Sequence, residues 1–318
     1  MGKQVAVVAI GGNSLIKDKN NVSVESQYDA AKETTYHIAD MIESGWDVAI
    51  GHGNGPQVGF ILRRSEISHK YEGMHEVPLD VCGADSQGAI GYSLAQNLQN
   101  ELYRRKINKP VAAVITQTLV DKNDKAFSNP TKPIGGFMDE ATAKQKENEM
   151  GWNVVEDAGR GWRRVVASPL PQDVVELEAI KALINAGVIV ITVGGGGIPV
   201  IDKGNHEYIG AAAVIDKDYA SSFLARAIHA DLFLISTAVE KVALNYGKPD
   251  QKNIDHLTLS EAKKYLAEGT HFAKGSMAPK MQAIIWYLEA GGKKAIITNP
   301  ENIGRALKGE TGTVIEQD

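Results

Sequence analysis

The chain alternates short apolar runs with longer amphipathic stretches. Val5-Ala6-Val7-Val8-Ala9-Ile10 is a run of small and β-branched residues with no polar interruption, the pattern of a parallel strand buried on both faces. It stops at Gly11-Gly12-Asn13-Ser14. In residues 27–44, Ala31, Thr35, Ile38 and Ile42 fall at helical spacing, and Gly45 supplies a C-cap. A second apolar run, 47–50, enters Gly51-His52-Gly53-Asn54-Gly55-Pro56, and a third, 188–193, enters Gly194-Gly195-Gly196-Gly197. Between them the pattern predicts helices over 57–68 and 81–106 and a strand over 111–120. Gly83, Gly88 and Gly91 weaken the second of those helices, and glycines inside a helix mark close packing.

From 121 to about 171 the texture changes. Pro130, Pro133, Pro169 and Pro171 gather there, with Gly135-Gly136 and a polar helix over 139–150 between short strands over 152–156 and 163–167. The stretch is too long for an ordinary loop. It reads as a small subdomain inserted into the main sheet, either a lid or a surface excursion. The rhythm then resumes: helix 174–186, hairpin 199–209 turning at Lys203-Gly204-Asn205, helix 219–229, strand 232–236, helices 260–268 and 279–290, and strands 294–298 and 313–316. Strands alternating with helices predict an α/β fold, a three-layer α/β/α sandwich with a mostly parallel central sheet and a small inserted protruding subdomain.

Composition adds bounds. The chain has 318 residues, 43% apolar and 23% charged, enough for one large α/β domain or two medium ones and not a disordered profile. A formal net charge of −5 gives no reason to expect nucleic-acid binding, and Arg63-Arg64, Arg104-Arg105-Lys106 and Arg163-Arg164 read as solvated helix ends. Cys82 is the one cysteine and reads as a packing residue. No signal-peptide pattern or membrane-length apolar run occurs, so the expected compartment is cytoplasmic with no membrane partner.

Ligands of open α/β sheets bind outside the carboxyl ends of the strands, where all three glycine-rich loops should lie. Backbone N–H groups without Cβ atoms suit phosphates, and lysines balance their charge. Three lysines have distinctive settings: Lys132 in Thr131-Lys132-Pro133-Ile134-Gly135, Lys217 in Asp216-Lys217-Asp218, and Lys280 in Gly275-Ser276-Met277-Ala278-Pro279-Lys280. Lys217 and Lys280 stand at helix starts, where a cation opposes the dipole unless an anion joins it. Asp216 and Asp218 either bind metal or orient Lys217 and cap the next helix. Orientation is favoured, because no third clustered carboxylate completes a metal site. His52 reads as a loop residue turned to solvent. P-loop, dinucleotide-fingerprint, HExxH, CxxC and GxSxG motifs are absent.

Gly11-Gly12-Asn13, Gly53-Asn54-Gly55-Pro56-Gln57-Val58-Gly59, Lys132-Pro133-Ile134-Gly135, Arg163-Arg164-Val165-Val166 with Ser168-Pro169, the Gly194–Gly197 run with Ile198-Pro199, Asp216-Lys217-Asp218, Val239-Glu240-Lys241-Val242 and Gly275-Ser276-Met277-x-Pro279-Lys280 occur in order across nearly the whole chain. Together they resemble the carbamate kinases of the amino acid kinase family. Gly136, Ala167 and Lys274 stand where that family commonly has proline.

The resemblance implies reversible phosphoryl transfer between ATP and carbamate, with Mg²⁺ carried by the nucleotide phosphates and no side-chain metal site. Its usual direction makes ATP from ADP and carbamoyl phosphate at the end of arginine deiminase-type fermentation. It also implies a homodimer. Residues 1–187 would hold the carbamoyl group, with the subdomain at about 121–171, and 188–318 the nucleotide. Lys132, Lys217, Asp218 and Lys280 are the implied catalytic residues. Gly11, Gly12, Asn13, Gly53, Asn54 and Gly55 would cradle the phosphoryl group, the glycines through their N–H groups. Val239, Tyr246, Gly275, Ser276 and Met277, with Lys217 and Lys280, would face the nucleotide. The rivals are another acyl-phosphate-forming kinase of the family, against which the insertion argues, and a catalytically silent sensor, which should have lost a lysine.

Overall fold

The computed structural model describes residues 4–12, 15–16, 21–156, 159, 161–273 and 275–318. The first apolar run forms the strand Gln4–Ile10, inside an eight-stranded sheet. The strand order is His256–Thr258, Thr313–Glu316, Lys294–Thr298, Leu232–Ser236, Gln4–Ile10, Trp46–His52, Ile189–Ile191, Val111–Ala113. Neighbours pair in parallel except Thr313–Glu316, which runs antiparallel to Lys294–Thr298.

Strand periodicity divides the first run between two cores. Val7 and Ala9 pack with Ala49, Val190, Phe233 and Ile297 on one face. Ala6, Val8 and Ile10 pack with Val48, Ile50, Ile191 and Leu234 on the other. Both sets are removed from water, which is why the strand tolerates no polar alternation. The helices Lys217–Ala227 and Met277–Glu289 cover the first face, supplying Leu224, Ile284 and Leu288. Val24–Glu43 and Leu79–Arg104 cover the second, supplying Ile38, Ile42, Leu94 and Leu98. The expected three-layer sandwich is therefore present. Each of these buried aliphatic side chains contributes roughly 1.5–3 kcal/mol of hydrophobic stabilisation.

Two departures have clear causes. The strand expected over 111–120 is two strands in different sheets, Val111–Ala113 and Gln117–Val120. Buried Gln87 splits them: its Oε1 accepts from the Thr116 N–H at 2.8 Å, and its Nε2 donates to the Thr116 and Gly194 carbonyls at 3.0 and 2.9 Å. The expected 174–186 helix starts later, as Leu177–Asn185, because Pro171–Val174 joins a four-stranded sheet with Gln117–Val120 and the 198–210 hairpin. Of the three glycines in Leu79–Arg104, Gly91 packs closely, its absent Cβ lying 3.0 Å from the Ala113 Cβ, whereas Gly83 and Gly88 face open space.

The insertion folds as a three-stranded antiparallel sheet, Lys132–Met138, Trp162–Val166 and Asn153–Glu156, with the helix Glu140–Met150 against it. Residues 132–138, given no element by the sequence pattern, add a strand to the two expected there. Pairing with Trp162–Val166 makes them a strand, and Gly135, at φ +69°, carries the irregularity that interrupts the ladder. The insertion is closed down on the helix Gly55–Glu72 through Gly59 and Gly135. A Cβ on Gly59 would fall on the Gly135 Cα, so the two backbones meet with nothing between them. Among the described residues, no helix is long and apolar enough to cross a membrane.

Candidate active site

Parallel register brings the loops together. Ile10 lies opposite both His52 and Ser236, so Gly11, Gly53 and Thr237 leave the sheet side by side at its carboxyl rim. Three helices start at this rim: Gly55–Glu72, Lys217–Ala227 and Met277–Glu289. The unpaired N–H groups of a helix's first turn favour anions.

Two adjoining cavities occupy the rim. The larger, of about 710 Å³, is walled by Gly11 and Gly12, by Asp216-Lys217-Asp218, and by residues within 237–246, 271–273 and 275–280. Lys217, Lys280, Asp218, Val239, Tyr246, Gly275, Ser276 and Met277 all line it. The other, of about 520 Å³, lies between Gly53-Asn54-Gly55 and the insertion. Gly12, Lys132, Arg163 and Lys217 line both. Asn13 and Lys274 lie outside the described residues.

The charged groups form one connected set. Lys132 Nζ reaches Asp216 Oδ2 at 2.6 Å, tying the insertion to the start of Lys217–Ala227. Asp216 also caps that helix, its Oδ1 accepting from the Asp218 N–H at 2.9 Å. Asp218 divides its carboxylate: Oδ1 accepts from Lys217 Nζ, and Oδ2 accepts from Lys280 Nζ at 2.7 Å. Burial alone would push the Asp218 carboxyl up, but the Lys217 and Lys280 ammoniums hold it well below the usual carboxylate range. Burial likewise pushes Lys217 down, and the neighbouring Lys280 adds to this against the pull of Asp218. Lys280 is raised, its burial outweighed by Asp218. Five cationic side chains (Lys132, Arg163, Lys217, Lys241 and Lys280) line the larger cavity against two carboxylates, Asp216 and Asp218. Such a surplus calls for a polyanionic ligand.

Several expectations need correction. The Gly11 and Gly53 N–H groups do not face a ligand: they extend the parallel ladders, donating to the Ser236 carbonyl at 2.9 Å and the Ile10 carbonyl at 3.0 Å. The remaining backbone donors of the set are Gly12, whose N–H has no partner among the described residues, and Gly55 at the first position of its helix. Asn54 is buried, and its Nδ2 donates to Ser86 Oγ at 2.8 Å, so its side chain pins the loop to the Leu79–Arg104 helix. Gly194–Gly197 reaches the smaller cavity only through Gly195. It is a packing junction where added Cβ atoms would strike His52, Asn54, Ile215 and Thr118. His52 is not turned to solvent: it is buried under that junction, its Nδ1 donating to the Gly53 carbonyl, and burial pushes it down to about 4. Cys82 is buried as expected, its thiol pushed up to about 11 by burial.

The paired arginines are not simple solvated ends either. Arg105 bonds Asp40 at 2.6 Å and Glu101 at 2.8 Å. Arg164 packs over Trp152, and Arg163 lines both cavities, held by the Gly135 carbonyl at 2.9 Å and stacked 5.2 Å from the Phe137 ring centroid. Alternation along Trp162–Val166 was the available signal: consecutive arginines on a strand face opposite ways.

The amino acid kinase family model matches residues 4–299. The carbamate kinase-like protein YahI of Escherichia coli is 51% identical over 98% of this chain and 99% of its own length. The carbamate kinase of Thermococcus kodakarensis is 49% identical over 98% of this chain and 99% of its own. The Giardia lamblia carbamate kinase solved bound to AMP-PNP superposes with a TM-score of 0.90 at 41% identity, covering 99% of each chain.

Proposed function

The chain belongs to the amino acid kinase family, and on that premise we propose that it catalyses phosphoryl transfer between carbamoyl phosphate and ADP, giving ATP and carbamate, and the reverse. The observation that carries this reading is the pair of cavities with one shared cationic wall, in a chain about half identical to carbamate kinases over its full length. ATP or ADP takes the larger cavity. The terminal phosphate lies along Lys217 and Lys280, and the base lies toward Val239, Tyr246 and Met277. Carbamoyl phosphate takes the cavity under the insertion, between Gly55 and Lys132.

In the ATP-forming direction, a β-phosphate oxygen of ADP attacks phosphorus while the bond from phosphorus to the carbamate oxygen breaks, and carbamate leaves with that electron pair. Carbamate then falls to ammonia and CO₂. Negative charge spreads over the three equatorial oxygens of the moving group, so positioning and charge neutralisation supply the catalysis. Lys217, on the shared wall, neutralises that group in flight. Lys280 holds the nucleotide side, Asp218 sets the spacing of the two ammoniums, and Gly12 and Gly55 offer backbone donors. Lys132 and Arg163 hold the substrate from the insertion. Most groups on the carbamoyl side come from before about residue 187 and most on the nucleotide side from after it, with Gly12 and Lys217 facing both cavities and the insertion as a lid.

The donor set also bears on the metal. Among the described residues no group of three metal-ligating side chains occurs, and both cavity carboxylates are committed to lysines. That fits Mg²⁺ held on the nucleotide phosphates, where it would neutralise their charge. A cytoplasmic homodimer belongs to the same proposal. Light scattering on the purified protein reads the assembly directly, and a monomer mass would remove that part.

Replacing Lys132 with alanine is expected to raise the KM for carbamoyl phosphate by about 10–100-fold, the scale of one or two lost charge-assisted contacts. ADP affinity by calorimetry should stay within about threefold. Lost ADP binding with an ordinary carbamoyl phosphate KM would contradict the assignment. The activity itself is read by mixing ADP and carbamoyl phosphate and detecting ATP with luciferase. ADP binding without ATP formation would favour the sensor or a sister kinase.

A further inference from the structure

A third cavity, of about 290 Å³, lies on the far side of the Lys132–Met138 strand from the carbamoyl phosphate pocket, between the Gly55–Glu72 helix and the Glu140–Met150 helix. Gly135, Gly136 and Phe137 wall both. Its apolar sides come from Leu62, Ile134 and Met138. Its charged lining is Arg63, Lys146 and Arg164 against the single carboxylate Glu66.

Arg164 is the unusual member. Its side chain is 24% exposed, yet its one hydrogen-bond partner among the described residues is Glu66 Oε1 at 3.4 Å, and Glu66 is shared with Arg63, also at 3.4 Å. Both contacts are long for a charge-assisted bond. The Arg164 guanidinium and the Lys146 ammonium each lie 4.5 Å from the Trp152 ring centroid. A guanidinium stacked on an indole but hydrogen-bonded only through one long contact, beside aliphatic walls, matches a planar carboxylate on a compact apolar body. The volume is at the small end of ligand pockets.

The geometry points to a second ligand site here, for a small aryl or branched-chain monocarboxylate, coupled to the carbamoyl phosphate pocket. The carboxylate takes the Arg164 fork, with Lys146 adding charge, and the apolar body lies against Trp152, Leu62 and Met138. Coupling follows from strand geometry. Arg163 and Arg164 are consecutive on one strand and face opposite cavities, and Ile134 pairs with Arg164 while Lys132 pairs with Val166. A ligand drawing on Arg164 therefore acts on the two strands that present Arg163 and Lys132. The coupling half rests on the activity proposed above, while binding does not.

Benzoate is the probe, titrated into the full chain by calorimetry with no substrate present. The expected result is saturable binding, weakened at least about tenfold in Arg164→Gln and several-fold in Lys146→Gln, and unchanged in Lys132→Ala. The Lys146 variant sits on an exposed helix and keeps the test open if Arg164→Gln misfolds. In turnover, saturating benzoate should shift the carbamoyl phosphate KM by about threefold or more while leaving the ADP KM alone. No saturation by about 10 mM, the weak limit of a specific site, would overturn the site. So would binding insensitive to both variants, or binding abolished by Lys132→Ala, which would place benzoate in the substrate pocket. Binding with an unmoved carbamoyl phosphate KM would overturn the coupling.

Discussion

Lys217→Ala is expected to lower kcat by about 10³-fold or more, with far-UV circular dichroism and ADP binding largely kept. Removing one preorganised donor from a developing anion costs about 10²–10³, and a buried, full positive charge on a phosphoryl group in flight is at the upper end or beyond. Lys217 is the lysine that starts a helix, touches Asp218 and lines both cavities. Its position is fixed from two sides. Asp218 holds the ammonium, and the space of a Gly53 Cβ is occupied to within 3.3 Å by Lys217 Cδ and 3.6 Å by Cε. Lys217→Arg should therefore rescue little, because the bulkier planar head has no room between Gly53 and Asp218. Single-turnover measurement separates loss of chemistry from loss of binding. Turnover within tenfold of the parent enzyme would mean that Lys217 does not neutralise the phosphoryl group in flight.

The sandwich was legible because its signals are local and redundant. A continuous apolar run marks a strand buried on two faces, and the strands Leu232–Ser236, Lys294–Thr298 and Thr313–Glu316 begin and end where the pattern places them. The lysines were legible for a different reason. Lys132 and Lys280 stand in glycine- and proline-rich settings and Lys217 between two aspartates, each at or near a helix or strand start, and the sheet topology gathers those settings at one rim. What failed was the inference from glycine to free N–H groups. A glycine after a parallel strand can still be the last rung of the ladder, and Gly11 and Gly53 are. Whether the next strand is long enough to claim that rung depends on register, a long-range property absent from any local window. Gly194–Gly197 failed in the same way, since its missing Cβ atoms make room for His52 and Asn54, Thr118 and Ile215 from three other segments. Arg163 was hidden by composition: a charge pair reads as solvated until strand pairing turns one member toward the cavities.

Gly59→Val is expected to cut kcat/KM for carbamoyl phosphate by about 10²-fold while sparing ADP affinity. Gly59 lies on the Gly55–Glu72 helix, outside the larger cavity, with the Gly135 backbone where a Cβ would stand. No rotamer relieves that clash, because both colliding groups are main chain. Gly135 has little freedom to yield, since it sits at φ +69° in a strand paired with Trp162–Val166. The insertion must then ride away from the helix as a body, taking Lys132 and Arg163 with it. A displacement of about 1 Å at a positioning group costs about 10²-fold. The helix itself tolerates the change, since glycine is the poorer helix former and valine costs less there, so thermal stability should fall little. Gly59→Ala should show the same pattern, because the clash begins at Cβ. An unaltered carbamoyl phosphate KM, or a loss confined to ADP, would mean that the contact between Gly59 and Gly135 does not set the height of the lid.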